Sequence, residues 1–201
     1  MSNLPLFNVS LNEKNIYRRD FLLKRINNYC NPKDSSILEI GIGNGRYGFL
    51  LAEYFKLYCG IDKLKEYVEL AKKKVPEGAN IKYKVGLGSE IPFNRKFDII
   101  LYANVWHYLI KQDKAMKEAK QVLSDNGIIL ISEPTEDIKW VSSELNKNSP
   151  DFDQEKYQNK INKIKRGKEF LLKQDYFEIK EYLIDSKLKF EFYLLTQKRL
   201  K

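Results

Sequence analysis

The stretch Glu39-Ile-Gly-Ile-Gly-Asn-Gly-Arg-Tyr-Gly48 carries two glycine spacings at once. Read from Gly43, it is G-x-G-x-x-G (Gly43, Gly45, Gly48), the loop that lets a dinucleotide pyrophosphate approach backbone N–H groups at a helix N-terminus. Read from Glu39, it is an acid followed by Gly41, Gly43 and Gly45. A second acid, Asp62, stands 19 residues beyond Gly43, where a carboxylate accepts hydrogen bonds from both hydroxyls of a ribose. The chain has one histidine, His107, and two cysteines, Cys30 and Cys59, without C-x-x-C spacing, so neither a metal centre nor a disulfide framework is expected. Cys59 reads as a core residue.

The two glycine readings differ in electrostatics. A nicotinamide dinucleotide would bring two phosphates to the loop, and an ionised Glu39 would oppose them. S-adenosylmethionine brings a sulfonium and an α-ammonium group, which a carboxylate at the end of a strand would attract, directly or through water. Glu39 therefore favours the sulfonium cofactor. Asp62 fits the ribose of either ligand, and it could equally cap the helix that follows it.

These residues need a strand, a tight loop and a helix in that order. "SSILEIG" reads as a buried strand and "RYGFLLAEYF" as the helix after the loop. The alternation goes on through strand "LYCGI", helix "KEYVELAKKK", strand "IKYKVG", strand 97–103, a helix over about 109–123 and strand 127–133. A leading helix is expected over 12–29, stopped by Asn31-Pro32. "FEIKEYLI" (177–184) and "FEFYLLTQ" (190–197) are too closely joined for a parallel crossover and must pair antiparallel. The expected fold is α/β, Rossmann-like: a mostly parallel seven-stranded sheet with an antiparallel C-terminal hairpin and helices on both faces. Residues 1–201 read as one domain, with an N-terminal helical segment 1–34 and an insertion 135–176. That insertion holds Trp140, Phe152, Tyr157 and Phe170 amid charge and is expected to be a lid.

The chain has 201 residues, 43% of them hydrophobic, enough for one sizeable core. No apolar run reaches the roughly 20 residues of a membrane span. The opening "MSNLPLFNVS" lacks a basic region followed by an apolar stretch, so a cytoplasmic protein is expected. The net charge of +9 permits attraction to nucleic acid, but basic and acidic residues are interleaved as on solvated helix faces, so nucleic acid is not indicated. Oligomeric state is not legible.

On these motifs the sequence resembles the class I S-adenosylmethionine-dependent methyltransferases, particularly the group acting on small molecules such as ubiquinone and menaquinone precursors. "ILEIGIGNGRYGFLLAE" is similar to their first motif, "GIDKLKEYVELAKKK" to the second, "EIPF" to the segment after the third strand, "FDIILYANVWHYL" to the fourth and "KEAKQVLSDNGIILISEP" to the stretch into the fifth strand. The resemblance covers about residues 35–134 and implies the S-adenosylmethionine cofactor. It places Glu39, Gly41, Gly43, Gly45, Asp62, Lys63, Gly88, Ser89 and Asn104 around that cofactor. Where the family often has an acid for the adenine amino group, this chain has Leu87-Gly88, so backbone near Gly88 and Ser89 is expected to hold the ring.

Methyl transfer from a sulfonium needs alignment and exclusion of water, and a base only where the acceptor must lose a proton. The resemblance puts His107 beside the acceptor pocket as the candidate base or orienting group; packing or helix capping is the competing reading. Asn104 serves the methionine part of the cofactor or simply turns the chain. Trp106 and Tyr108 are pocket walls or core, and Tyr17 and Arg18 of the leading helix either close the site or stay on the surface. A small-molecule acceptor is the expected partner. The competing functions are methylation of RNA or protein, non-catalytic cofactor binding, and, least favoured by Glu39, a nicotinamide dehydrogenase. An Asn-Pro-Pro-Tyr motif, which would point to amino groups on bases or glutamine, is replaced by "ANVWHY".

Overall fold

The computed structural model describes residues 12–135, 143–145, 147–187 and 189–197. Within them, β1 (Ser36–Ile40), β2 (Leu57–Asp62), β3 (Ile81–Val85), β4 (Phe97–Ala103), β5 (Leu123–Pro134), β6 (Phe177–Asp185) and β7 (Phe190–Gln197) form one sheet in the order β3-β2-β1-β4-β5-β7-β6. Strands β1 to β5 pair in parallel, and β7 runs antiparallel between β5 and β6. The expected hairpin is therefore present. It turns through Lys189, held at φ 59°, whose N–H donates to the Asp185 carbonyl at 2.8 Å.

Helices α1 (Glu13–Ile26), α2 (Arg46–Leu51) and α3 (Lys65–Lys72) cover one face, and α4 (Gln112–Val122) and α5 (Gln154–Lys173) the other. Because both faces are covered, β1 is buried at every residue, which is why, after Ser36, it is apolar except for Glu39. Alternate residues of each strand feed opposite cores. Ile37, Ile99, Leu101, Ile128 and Leu130 meet Leu22, Leu50 and Val68, whereas Leu38, Ile100, Tyr102, Ile129 and Ile131 meet Met116, Ala119 and Leu171. Truncating such a fully buried leucine to alanine costs about 2–5 kcal/mol. At the amino ends of the strands, the Asp98 carboxylate accepts from the Ser36 N–H at 2.7 Å and from the Ser124 hydroxyl at 3.2 Å, tying β1, β4 and β5 together opposite the cavity described below.

Several boundaries differ from the sequence pattern for local reasons. The leading helix starts after Asn12, whose side chain accepts from the Asn15 N–H, and stops at Ile26, earlier than expected. The helix expected from 109 begins at Gln112, because Trp106–Tyr108 form a separate 3-10 turn. Strand β5 starts at Leu123 rather than 127, since Leu123 already pairs with Phe97. In the 135–176 segment, α5 is a packed helix: its Leu171 is fully buried, and the indole N–H of Trp106 donates to the Gly167 carbonyl at 3.1 Å. Trp140 lies outside the described residues.

Candidate active site

A cavity of about 370 Å³ opens at the carboxyl ends of β1, β2 and β4, the edge where open parallel sheets take ligands. Gly41, Gly43, Asp62, Lys63, Gly88 and Asn104 all line it. Its walls are apolar, with Ile40, Leu64, Leu87, Val105 and Leu109, and the rings of Tyr67 and Tyr108 face it. Tyr67 and Gly86 were not singled out in the sequence; Gly86 directly follows β3 and Tyr67 lies in the first turn of α3, positions that carry no residue-type signal.

The glycine loop is shaped by backbone that other residues resist. Gly41 has φ 79°, and a side chain there would collide with Val105. Gly43 has φ 51°, and a Cβ built on it would meet no protein atom within 4 Å. The loop thus needs glycine at 43 for its backbone, and the space left beside it belongs to the cavity. Gly45 does other work. It starts α2 at φ 82° and packs toward Ala71 and Phe49, away from the cavity.

Asp62 organises the floor. One carboxylate oxygen accepts from the Gly43 N–H at 2.9 Å and the other from the Leu64 N–H at 3.0 Å, while its backbone carbonyl accepts from the Gly86 N–H at 2.9 Å. A carboxylate oxygen has two acceptor sites, so each retains capacity for a ligand hydroxyl. Asn104 turns the chain at φ 60°, tolerated by asparagine, and also lines the cavity. Ser89 is half-buried and does not line it.

Glu39 sits behind the loop. It is 1% exposed, points to the face covered by α1 and α2, and accepts from the Tyr58 hydroxyl at 2.8 Å. Burial pushes its carboxyl up to about 8, against the pull of Tyr58 and Arg46. It is therefore not a cavity wall, and its influence on a bound cation would act through the loop.

His107 is 1% exposed and lies behind Tyr108 rather than on the cavity surface. Glu133 holds it closely. The Glu133 carboxylate accepts from the Trp106 N–H at 3.0 Å, from the His107 N–H at 3.1 Å and from the imidazole Nδ1. The other ring nitrogen, Nε2, is buried with no partner among the described residues. Glu133 was not picked out from the sequence because the contact spans 26 residues and joins two strand ends. Trp106 is fully buried, with its ring edge-on to Tyr102 at 5.2 Å, and so is core. Tyr108 is half-exposed and wall. Lys160 of α5 contacts its hydroxyl and lies 3.6 Å from its ring centroid; burial pushes the Lys160 ammonium down to about 8.

The cavity fits S-adenosylmethionine: a glycine whose missing Cβ leaves room, an acid with free acceptor sites for a ribose, and apolar walls for a purine. The sheet also separates it from a dinucleotide fold, whose strand order is 3-2-1-4-5-6 without a reversed strand between the last two.

Comparisons with known proteins agree. A methyltransferase domain family matches residues 38–131. The chain is 31% identical over 98 residues to the uncharacterized methyltransferase YcgJ of Bacillus subtilis, covering 47% of this chain and 39% of that one. It is 30% identical over 101 residues to a ubiquinone biosynthesis O-methyltransferase of Pelagibacter ubique, covering 50% and 42%. An S-adenosylmethionine-dependent methyltransferase from Clostridium acetobutylicum superposes with a TM-score of 0.65 at 15% identity over 94% of each chain. The chain spans about two-fifths of the length of these two curated relatives. Residues 38–131 thus match a methyltransferase domain, and the fold is similar to that of solved S-adenosylmethionine-dependent methyltransferases.

Proposed function

We propose that this chain transfers a methyl group from S-adenosylmethionine to a small-molecule acceptor. The observation that carries the reading is the Glu133–His107 pair beside the cofactor cavity, with Nδ1 bound to the carboxylate and Nε2 unpartnered. When bound, the cofactor supplies an activated methyl on a sulfonium. The protein's share is positioning and proton handling. Gly41, Gly43, Asp62, Lys63, Gly88 and Asn104 hold the nucleoside and methionine parts, and Glu39 and Gly45 support the loop from behind.

An ionised Glu133 accepting Nδ1–H leaves the lone pair of His107 on Nε2, the arrangement of an oriented general base. Its reach to an acceptor requires Tyr108 and the start of α5 to shift, so within the 135–176 segment expected to be a lid, of which 136–142 and 146 lie outside the described residues, α5 is the part that opens and closes in this reading. Hydrogen exchange over this segment is expected to slow when S-adenosylhomocysteine binds; unchanged exchange would remove the lid. A small acceptor is supported by the ubiquinone enzyme among the relatives. A cytoplasmic setting, supported by the two free thiols Cys30 and Cys59, belongs to the same proposal.

The test is transfer of a labelled methyl group from S-adenosylmethionine to separated cell fractions. Label is expected in the low-molecular-weight fraction and lost with His107→Gln. Label in RNA or protein instead would replace the small acceptor with a macromolecule.

A further inference from the structure

A lysine occupies a position of α5 where the helix period asks for an apolar residue. Lys160, Ile164, Gly167 and Leu171 recur at helical spacing and are all buried, so they share the stripe that α5 turns inward. An ammonium on that stripe is unfavourable unless its surroundings offset the loss of water, a cost that a leucine at 160 would avoid. Lys160 is nevertheless only 8% exposed. A residue that breaks the pattern of its own helix marks a place where something other than packing is at stake.

What the ammonium holds is Tyr108. Its Nζ donates to the Tyr108 hydroxyl and lies 3.6 Å from the centroid of the same ring, so one cation engages both the polar end and the π face of one side chain. Among the described residues the Tyr108 hydroxyl makes no other hydrogen bond. The Tyr108 ring in turn lies against the imidazole of His107, centroid to centroid 4.1 Å and tilted by 38°. Tyr108 lines the cofactor cavity and His107 does not. The tyrosine ring is therefore the layer between the cavity and the imidazole, and Lys160 clamps that layer from α5.

Further along α5 the contact with the same 3-10 turn is fixed. The Trp106 indole donates to the Gly167 carbonyl at 3.1 Å and packs against the Phe170 ring at 5.8 Å. A Cβ at Gly167 would come within 3.1 Å of the indole, so helix and turn meet as closely as a glycine allows. Gly167 lies about two turns beyond Lys160. The helix is thus pinned to the core at Gly167–Leu171, and the Lys160–Tyr108 contact ties its earlier turns to the wall of the cavity.

Resting on the reading of His107 as the base, we infer that Lys160 is a positioning residue: it clamps the Tyr108 ring over His107 and so sets whether Nε2 is sealed off or open to the cofactor cavity. An acceptor reaches the imidazole only when this clamp gives way.

His107 is the chain's single histidine, so a histidine reagent reports on this position alone. The experiment follows N-carbethoxylation of the imidazole by diethyl pyrocarbonate at neutral pH in the full chain, by absorbance and by peptide mass mapping at His107, beside Lys160→Met, Lys160→Arg and Tyr108→Phe. The parent is expected to react slowly. Lys160→Met keeps the length of the side chain but loses its charge and donor, and should react about tenfold faster or more, the effect of one lost charged hydrogen bond on the opening equilibrium. Tyr108→Phe should move in the same direction. Lys160→Arg, which again offers a donor and a cation for the ring, should bring the rate back toward that of the parent. Thermal melting should place Lys160→Met no lower than the parent, because an ammonium has left the interior, so that the faster reaction is a local opening.

The inference is overturned if Lys160→Met or Tyr108→Phe reacts at the rate of the parent, or if Lys160→Arg reacts as fast as Lys160→Met. It is also overturned if Lys160→Met melts well below the parent or fails to fold, which would make Lys160 a structural prop. These rates need neither cofactor nor acceptor, so they judge the clamp by itself; the base reading fails separately, by retained methyl transfer in His107→Gln.

Discussion

The two ends of the site differ in how completely the protein satisfies its own polar groups. At the nucleoside end, both Asp62 carboxylate oxygens already accept backbone N–H bonds, and its carbonyl anchors Gly86. Behind Tyr108, by contrast, His107 Nε2 is buried without a partner among the described residues. A cradle completed by the chain itself is preorganised for one ligand shape. In the proposed function the unpaired His107 Nε2 is the group that an acceptor would complete.

Substitutions can separate the two ends. The largest effect is expected from His107→Gln, which should lower turnover by about 10²- to 10⁴-fold, the range for loss of a general base, without changing S-adenosylhomocysteine affinity. Single-turnover rates and calorimetry on one preparation check this, and an equal loss in both would make His107 a packing residue. Gly43→Ala should do the reverse. A methyl group in the open space at φ 51° is expected to weaken cofactor affinity by about 10- to 100-fold through backbone strain and lost room, with the fold retained.

Glu39 gives a smaller effect, visible in stability. Burial raises its carboxyl from the ordinary 4.5 to about 8, so between those values the folded chain holds a proton that the unfolded chain releases. The contribution is present below about 4.5 and is lost as pH rises toward about 8, so raising pH favours unfolding over that window. Urea midpoints of the parent should therefore fall relative to Glu39→Gln over this range; parallel curves would contradict the burial argument. The smallest effect concerns Cys59, whose thiol burial pushes up to about 11: in the native protein iodoacetamide should modify Cys30 and spare Cys59.

Much of the nucleoside end was legible in the sequence because its determinants are local. A strand, three closely spaced glycines and an acid at the next strand end form one βαβ unit, and each residue lies near its partners along the chain. The antiparallel hairpin was equally readable, since the short link between β6 and β7 leaves no other pairing. The acceptor end was harder to read. Glu133 reaches His107, and Arg18 reaches Phe190, only after the sheet has formed, so no spacing announces them. Glu39 shows the converse limit: its type and place suggested attraction of a cation directly or through water, and strand alternation turns it under the loop toward Tyr58, a partner no spacing announces. Likewise Trp106, two residues before Tyr108, is core because the 3-10 turn sends nearby side chains to different surroundings.

The central claim is that the glycine loop and Asp62 hold S-adenosylmethionine. Its most direct test is calorimetric titration of the full chain with S-adenosylmethionine, S-adenosylhomocysteine and NAD, beside the Asp62→Ala variant. Binding of the first two alone, lost in Asp62→Ala, is the expected result; binding of NAD in their place, or of none of the three, would contradict it.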